Sequence, residues 1–74
     1  MKEEELKPLL EAYGYQKTFD DPEHCRTRWQ SEGGFIDVWF GRKRVTIGIH
    51  DEKTRLMQYK RVYNLEQAEA WITA

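Results

Sequence analysis

The 74 residues predict an α+β fold: a four-stranded antiparallel meander with an N-terminal and a C-terminal helix packed on one of its faces. Three observations point there. Leucines recur at helical spacing near the start, the middle alternates apolar and polar residues with period two between short turn signals, and a capped amphipathic stretch closes the sequence. The length accommodates one small domain, residues 1–74, and one compact core. Ten aromatic rings, three Trp, four Tyr and three Phe, offset a hydrophobic share of only 39% because each buries a large area.

The first helix reads from about Glu5 to Tyr13, where Leu6, Leu9, Leu10 and Tyr13 follow i, i+3, i+4, i+7 spacing. Pro8 belongs in a first turn, so the ordered helix is expected to start near Leu6 or Lys7, with Glu3, Glu4 and Glu5 either fraying or favouring the positive end of the dipole. Gly14 suits the left-handed position after the helix, with Tyr15 folding back as its apolar companion. Gln16 to His24, containing Asp20-Asp21-Pro22, reads as a loop.

Four strands follow, over 25–32, 35–40, 43–50 and 54–62, joined by turns at Gly33-Gly34, Gly41-Arg42 and Glu52-Lys53. This register aligns Trp29, Val38 and Val45, then Ser31, Ile36 and Ile47, with Thr27 opposite Phe40 and Ile49 opposite Leu56, as the core face. The fourth strand admits two readings: the same parity turns Gln58 and Lys60 inward, whereas a bulge would bury Met57 and Tyr59. The final helix starts at Asn64, a good N-cap, with Gln67 at capping-box spacing and Leu65, Ala68 and Ile72 on one stripe beside Trp71. Each helix has one apolar stripe, so both are expected to cover the same face and leave the other open.

Charge is segregated. Residues 1–24 hold seven acids against three bases, 25–63 hold four against nine, and 64–74 hold two acids and no base, giving nets of −4, +5 and −2 within an overall −1. In the expected register Arg28, Trp39, Arg44 and Arg61 form one row of the open face. Beside it lie Gln30, Asp37, Thr46 and Tyr59, then Glu32, Phe35, Gly48 and Met57, with His50 opposite Arg55. The candidate partner-binding residues are therefore Arg28, Phe35, Trp39, Arg44, His50, Arg55, Tyr59 and Arg61. Bases interleaved with rings suit a protein partner, because Trp, Tyr and Arg dominate interface energetics, and equally a single-stranded nucleic acid that stacks its bases. A plainer reading makes Trp39 a structural residue held between Arg28 and Arg44 by cation–π contacts.

Catalytic chemistry finds no constellation. His24 beside Cys25 offers a base near a thiol, but adjacent strand residues point apart, and a single Cys at a core-facing position reads as a small buried hydrophobe. Asp20, Asp21 and Glu23 match no cation loop, and His24 and His50 lack zinc spacing. The expectation is a non-enzymatic chain without cofactor or metal. One cysteine, an acidic start and no long apolar run point to a cytoplasmic protein without a membrane span. The leading function is a small protein-interaction module working as a monomer or as a weak homodimer through the open sheet face. Its size and solitary-domain character suit an accessory or inhibitor protein of a mobile element. Nucleic-acid binding by the same face is the alternative.

Two resemblances attach to these elements. The order helix, strands, helix resembles the double-stranded RNA-binding domain, although Leu65-Glu66-Gln67-Ala68-Glu69 is acidic where that family's second helix starts with lysines. Residues 45–71 resemble the arm-type DNA-binding domain of phage integrases. The likeness runs through Val45, Thr46-Ile47-Gly48-Ile49, the Asp51-Glu52-Lys53-Thr54 turn, Tyr59-Lys60-Arg61 and Ala68-Glu69-Ala70-Trp71. That family packs a three-stranded sheet on one helix and binds DNA with the sheet, which implies DNA contacts at Arg44, Arg55, Lys60 and Arg61.

Overall fold

The computed structural model describes residues 1–74. Helix α1 (Glu3–Ala12) leads into β1 (Gln16–Asp21), a 3-10 turn (Pro22–His24), β2 (Arg26–Ser31), β3 (Gly34–Phe40), β4 (Val45–Asp51), β5 (Leu56–Val62) and helix α2 (Leu65–Ile72). The strands form one antiparallel sheet in the order β1-β2-β3-β4-β5. No helix is long and apolar enough to cross a membrane.

Helix α1 begins at Glu3, earlier than Pro8 suggested. The Lys2 carbonyl accepts from Glu5 (3.1 Å) and Leu6 (3.2 Å), and the Glu5 carboxylate accepts from the Lys2 N–H at 3.3 Å. These bonds order the acidic first turn, and Pro8 lies inside the helix, where its missing N–H leaves one ladder bond unmade. The C-terminus is as expected: Gly14 at φ +85° lets its own N–H reach Glu11 O and Tyr15 N–H reach Leu10 O, each at 3.0 Å. In α2 the Asn64 Oδ1 accepts from Gln67 N–H at 2.8 Å, and the Gln67 side chain accepts from Tyr63 N–H at 2.9 Å.

Both helices cover one face. Leu6 and Leu10 of α1 and Ala68 of α2 are buried with Trp29, Ile36, Val38, Val45, Ile47 and Val62. The Trp29 indole is fully buried and donates to Thr27 Oγ1 at 2.8 Å, while Trp71 is only half-buried and caps the sheet by donating to Ile47 O at 3.0 Å. Tyr13 stays outside the core, its hydroxyl donating to Glu69 on α2 at 2.9 Å.

Two expectations change. The segment read as a loop contains β1, so the sheet has five strands rather than four. Its residues are almost all exposed, and as an edge strand it is held by pairing with β2 rather than by apolar alternation. Second, each of the three expected hairpins slips by two residues. Trp29 faces Ile36, Val38 faces Ile47 and Ile49 faces Gln58. The turns are Glu32-Gly33, a four-residue loop Gly41–Arg44 and another, Glu52–Arg55. In the last of these the Asp51 carboxylate accepts from Lys53 N–H at 2.9 Å. Arg55 adopts φ +60° and donates its N–H to Asp51 O at 2.7 Å. A two-residue slip keeps every side chain on its original face. Strand β5 follows the unbulged option, with Gln58 and Lys60 on the helix side and Met57 and Tyr59 on the open side.

Candidate interaction face

The open face is built by β2 to β5 with β1 at its margin. Its rows, read from the ladders, are Asp21-Arg26-Trp39-Thr46-Arg61 and Phe19-Arg28-Asp37-Gly48-Tyr59. A third holds Gln30 opposite Phe35 and His50 opposite Met57, joined by the stack of Phe35 on His50. Six of the eight candidate residues, Arg28, Phe35, Trp39, His50, Tyr59 and Arg61, thus share this surface. Arg44 and Arg55 do not. They sit in the β3–β4 and β4–β5 loops at opposite ends of the sheet, because the four-residue loops absorb positions that two-residue turns would have left in strands. His50 accordingly faces Met57 rather than Arg55. The four bases implied by the integrase likeness do not converge either, since Lys60 lies on the helix side with its Nζ 5.6 Å from the Trp71 ring centre.

At the centre sits Asp37, 4% exposed. Its carboxylate takes two bonds from the Arg28 guanidinium, at 2.7 and 3.0 Å, and lies 3.6 Å from Arg26 Nη1. The bonds it donates to Asp37 hold the Arg28 guanidinium above its already high ordinary pKa. Arg26 retains one buried Nε–H without a partner. Three arginines therefore meet two aspartates on this face, and the expected basic row is largely neutralised.

What remains is aromatic. Arg28 lies 4.3 Å above Phe35, which stacks on His50 at 4.6 Å and 12°. Trp39 is not held between Arg28 and Arg44; it meets Tyr59 at 5.7 Å with the rings inclined by 57°. Tyr59 spreads over Gly48, where an added Cβ would come within 2.8 Å of the ring. A glycine in a central strand leaves backbone bare, and a cross-strand aromatic covers it. Phe19 of β1 and Arg26 of β2, 5.4 Å apart in a further cation–π pair, also belong to the surface; Phe19 was missed because β1 carries no alternation to read.

The other candidates resolve simply. Cys25 is exposed rather than core-facing, in a left-handed conformation (φ 51°) after the 3-10 turn, and the neighbouring His24 ring is engaged by Asp21 at 2.9 Å. Donor atoms of Asp21, Glu23 and His24 gather within 4.8 Å of one another on the exposed turn, with Arg26 paired beside Asp21. Arg42, Lys43 and Arg44 project from the β3–β4 loop without an ionic partner. Compared with family models, curated proteins and solved structures, this chain matches none.

Proposed function

We propose that the chain is a protein-interaction module whose partner docks on the open sheet face at Trp39, Tyr59 and Arg61. The observation that carries this reading is the central carboxylate of Asp37, which occupies Arg28 and Arg26 and leaves a flat, ring-rich, weakly charged surface. Such a surface suits a partner offering apolar side chains to the rings and a carboxylate to Arg61, an exposed base without an ionic partner. A polyanion needs a run of free bases along its track, and here the run is interrupted at mid-face.

Two measurements on the intact chain test this. Proteins retained by the immobilised chain are compared with those retained by Trp39→Ala, which is expected to lose the specific partner, at a cost of about 2 kcal/mol or roughly 30-fold in affinity. Anisotropy titrations with single- and double-stranded DNA and RNA at low salt are expected to show no tight binding. Tight binding that falls steeply with salt would replace this reading with nucleic-acid recognition, centred on Arg61 and the unpaired Arg42, Lys43 and Arg44.

A further inference from the structure

The two edges of the sheet are built differently. Strand β1 is interrupted by a register shift between Lys17 and Phe19 and ends in Asp20 and Asp21, both devices that discourage another strand from pairing. Strand β5 carries charge as well, at Lys60 and Arg61, but no register shift. It runs seven residues without a bulge, proline or glycine, and its outer side pairs with nothing.

The direction of its backbone groups follows from the ladders. Along an antiparallel strand, residues alternate between bonding one neighbour and bonding the other. Phe40 N–H donates to Cys25 O at 3.0 Å in line with the β2–β3 register, and Gly41 N–H donates to Arg44 O at 2.9 Å in line with the β3–β4 register. Even-numbered residues of β3 therefore bond β2, odd-numbered residues of β4 bond β5, and Leu56, Gln58, Lys60 and Val62 bond β4. The N–H and C=O groups of Met57, Tyr59 and Arg61 point outward.

Exposed apolar surface gathers at the same edge. Of six exposed large hydrophobic residues, Leu56 and Tyr59 lie on β5, Tyr63 directly after it and Leu65 at the start of α2. Tyr13 bonds Glu69, Phe19 lies beneath Arg26 and Tyr59 leans on Trp39 and Gly48, so Leu56, Tyr63 and Leu65 supply the apolar surface without such a partner. The charge that would guard the edge is partly withdrawn, because Lys60 reaches back toward the Trp71 ring.

We infer that β5 pairs with β5 of a second copy of this chain, antiparallel about a two-fold axis at Tyr59. This register pairs all seven residues and sets the outward groups of Met57, Tyr59 and Arg61 against those of Arg61, Tyr59 and Met57 in the other copy. Lys60 then faces Gln58, Arg61 faces Met57 and Val62 faces Leu56, so no like charges oppose each other. Moving the axis to Lys60 would put the two Lys60 side chains opposite each other. Moving it to Gln58 would set Arg61 against Arg55, which is held in the left-handed loop. Two helix layers and two open faces would each continue across the junction, leaving Trp39 free in both copies. Pairing uses the backbone of Tyr59 and Arg61, whose side chains also belong to the docking surface proposed above.

Sedimentation equilibrium of the full chain over a dilution series is expected to show reversible doubling of its 8.9 kDa mass. In amide exchange, Met57, Tyr59 and Arg61 should gain protection as concentration rises. Gln58 is exposed, so charge can be placed there without disturbing the core. Gln58→Glu, facing Lys60 twice across the axis, should tighten the dimer and Gln58→Lys should loosen it, each by about tenfold. A monomer at every concentration would overturn the inference. So would a dimer whose Met57, Tyr59 and Arg61 amides exchange freely, or equal effects of the two folded Gln58 variants.

Discussion

Breaking the ion pair at the centre of the open face should have unequal consequences depending on which partner is removed. Asp37 has a side chain only 5% exposed, whereas the side chains of Arg28 and Arg26 are 39% and 27% exposed. Arg28→Met keeps an apolar stem over Phe35 but leaves a buried carboxylate with a single cation at 3.6 Å. Stranding a desolvated charge is among the costliest single changes, and about 3 kcal/mol is expected. Asp37→Asn strands nothing comparable, because the guanidinium groups can turn toward water and the amide oxygen still accepts one bond. About 1 to 1.5 kcal/mol is expected there. In the double variant the stranded charge disappears, so the combined loss should fall about 1 kcal/mol or more short of the sum. Urea unfolding with unchanged m-values measures all three, and Arg28→Met alone should lower the thermal midpoint by on the order of 15 °C. Equal single costs, or an additive double variant, would refute the assignment of Asp37 as the buried, dependent member of the pair.

Gly48→Ala should destabilise by about 1 kcal/mol and move Tyr59, since its Cβ would meet Tyr59 ring atoms at 2.8 Å and Met57 Cε at 2.9 Å; unfolding midpoints and Tyr59 chemical shifts would register both. Cys25→Gly should stabilise by up to about 1 kcal/mol by relieving a left-handed non-glycine residue, and thiol reagents should label the exposed wild-type cysteine without unfolding the chain. The Tyr13 hydroxyl bonded to Glu69 and the Lys17 ammonium bonded to Glu3 both have pKa values raised above their ordinary 10.0 and 10.5. A raised folded-state pKa gives stability that is complete below the unfolded value and lost as pH climbs through the folded one. Stability should therefore hold through neutral pH and decline above about pH 10, less so in Tyr13→Phe with Lys17→Gln, as thermal melts across the alkaline range would show.

The sequence by itself determined what is local. Alternation with period two assigned Thr27, Trp29, Ile36, Val38, Val45 and Ile47 to one face and Arg28 and Trp39 to the other, while the facing of Tyr59 and Arg61 on β5 was left to the structure. Gly14 and Asn64 marked helix ends because a left-handed glycine and a capping carbonyl act within a few residues of their position. Only the tertiary structure decided which residues meet across strands. A slip of two leaves parity unchanged, so alternation is blind to it, and register rests instead on loop geometry such as the Asp51 turn and the left-handed Arg55. That choice moved Arg44 and Arg55 off the face and brought Asp37 directly opposite Arg28. Strand β1 was likewise decided by pairing alone, since an edge strand exposed along its length needs no apolar pattern to stay in the sheet. The character of the open face changed for the same reason: composition counts the bases, but only cross-strand pairing tells which of them a buried carboxylate has already neutralised.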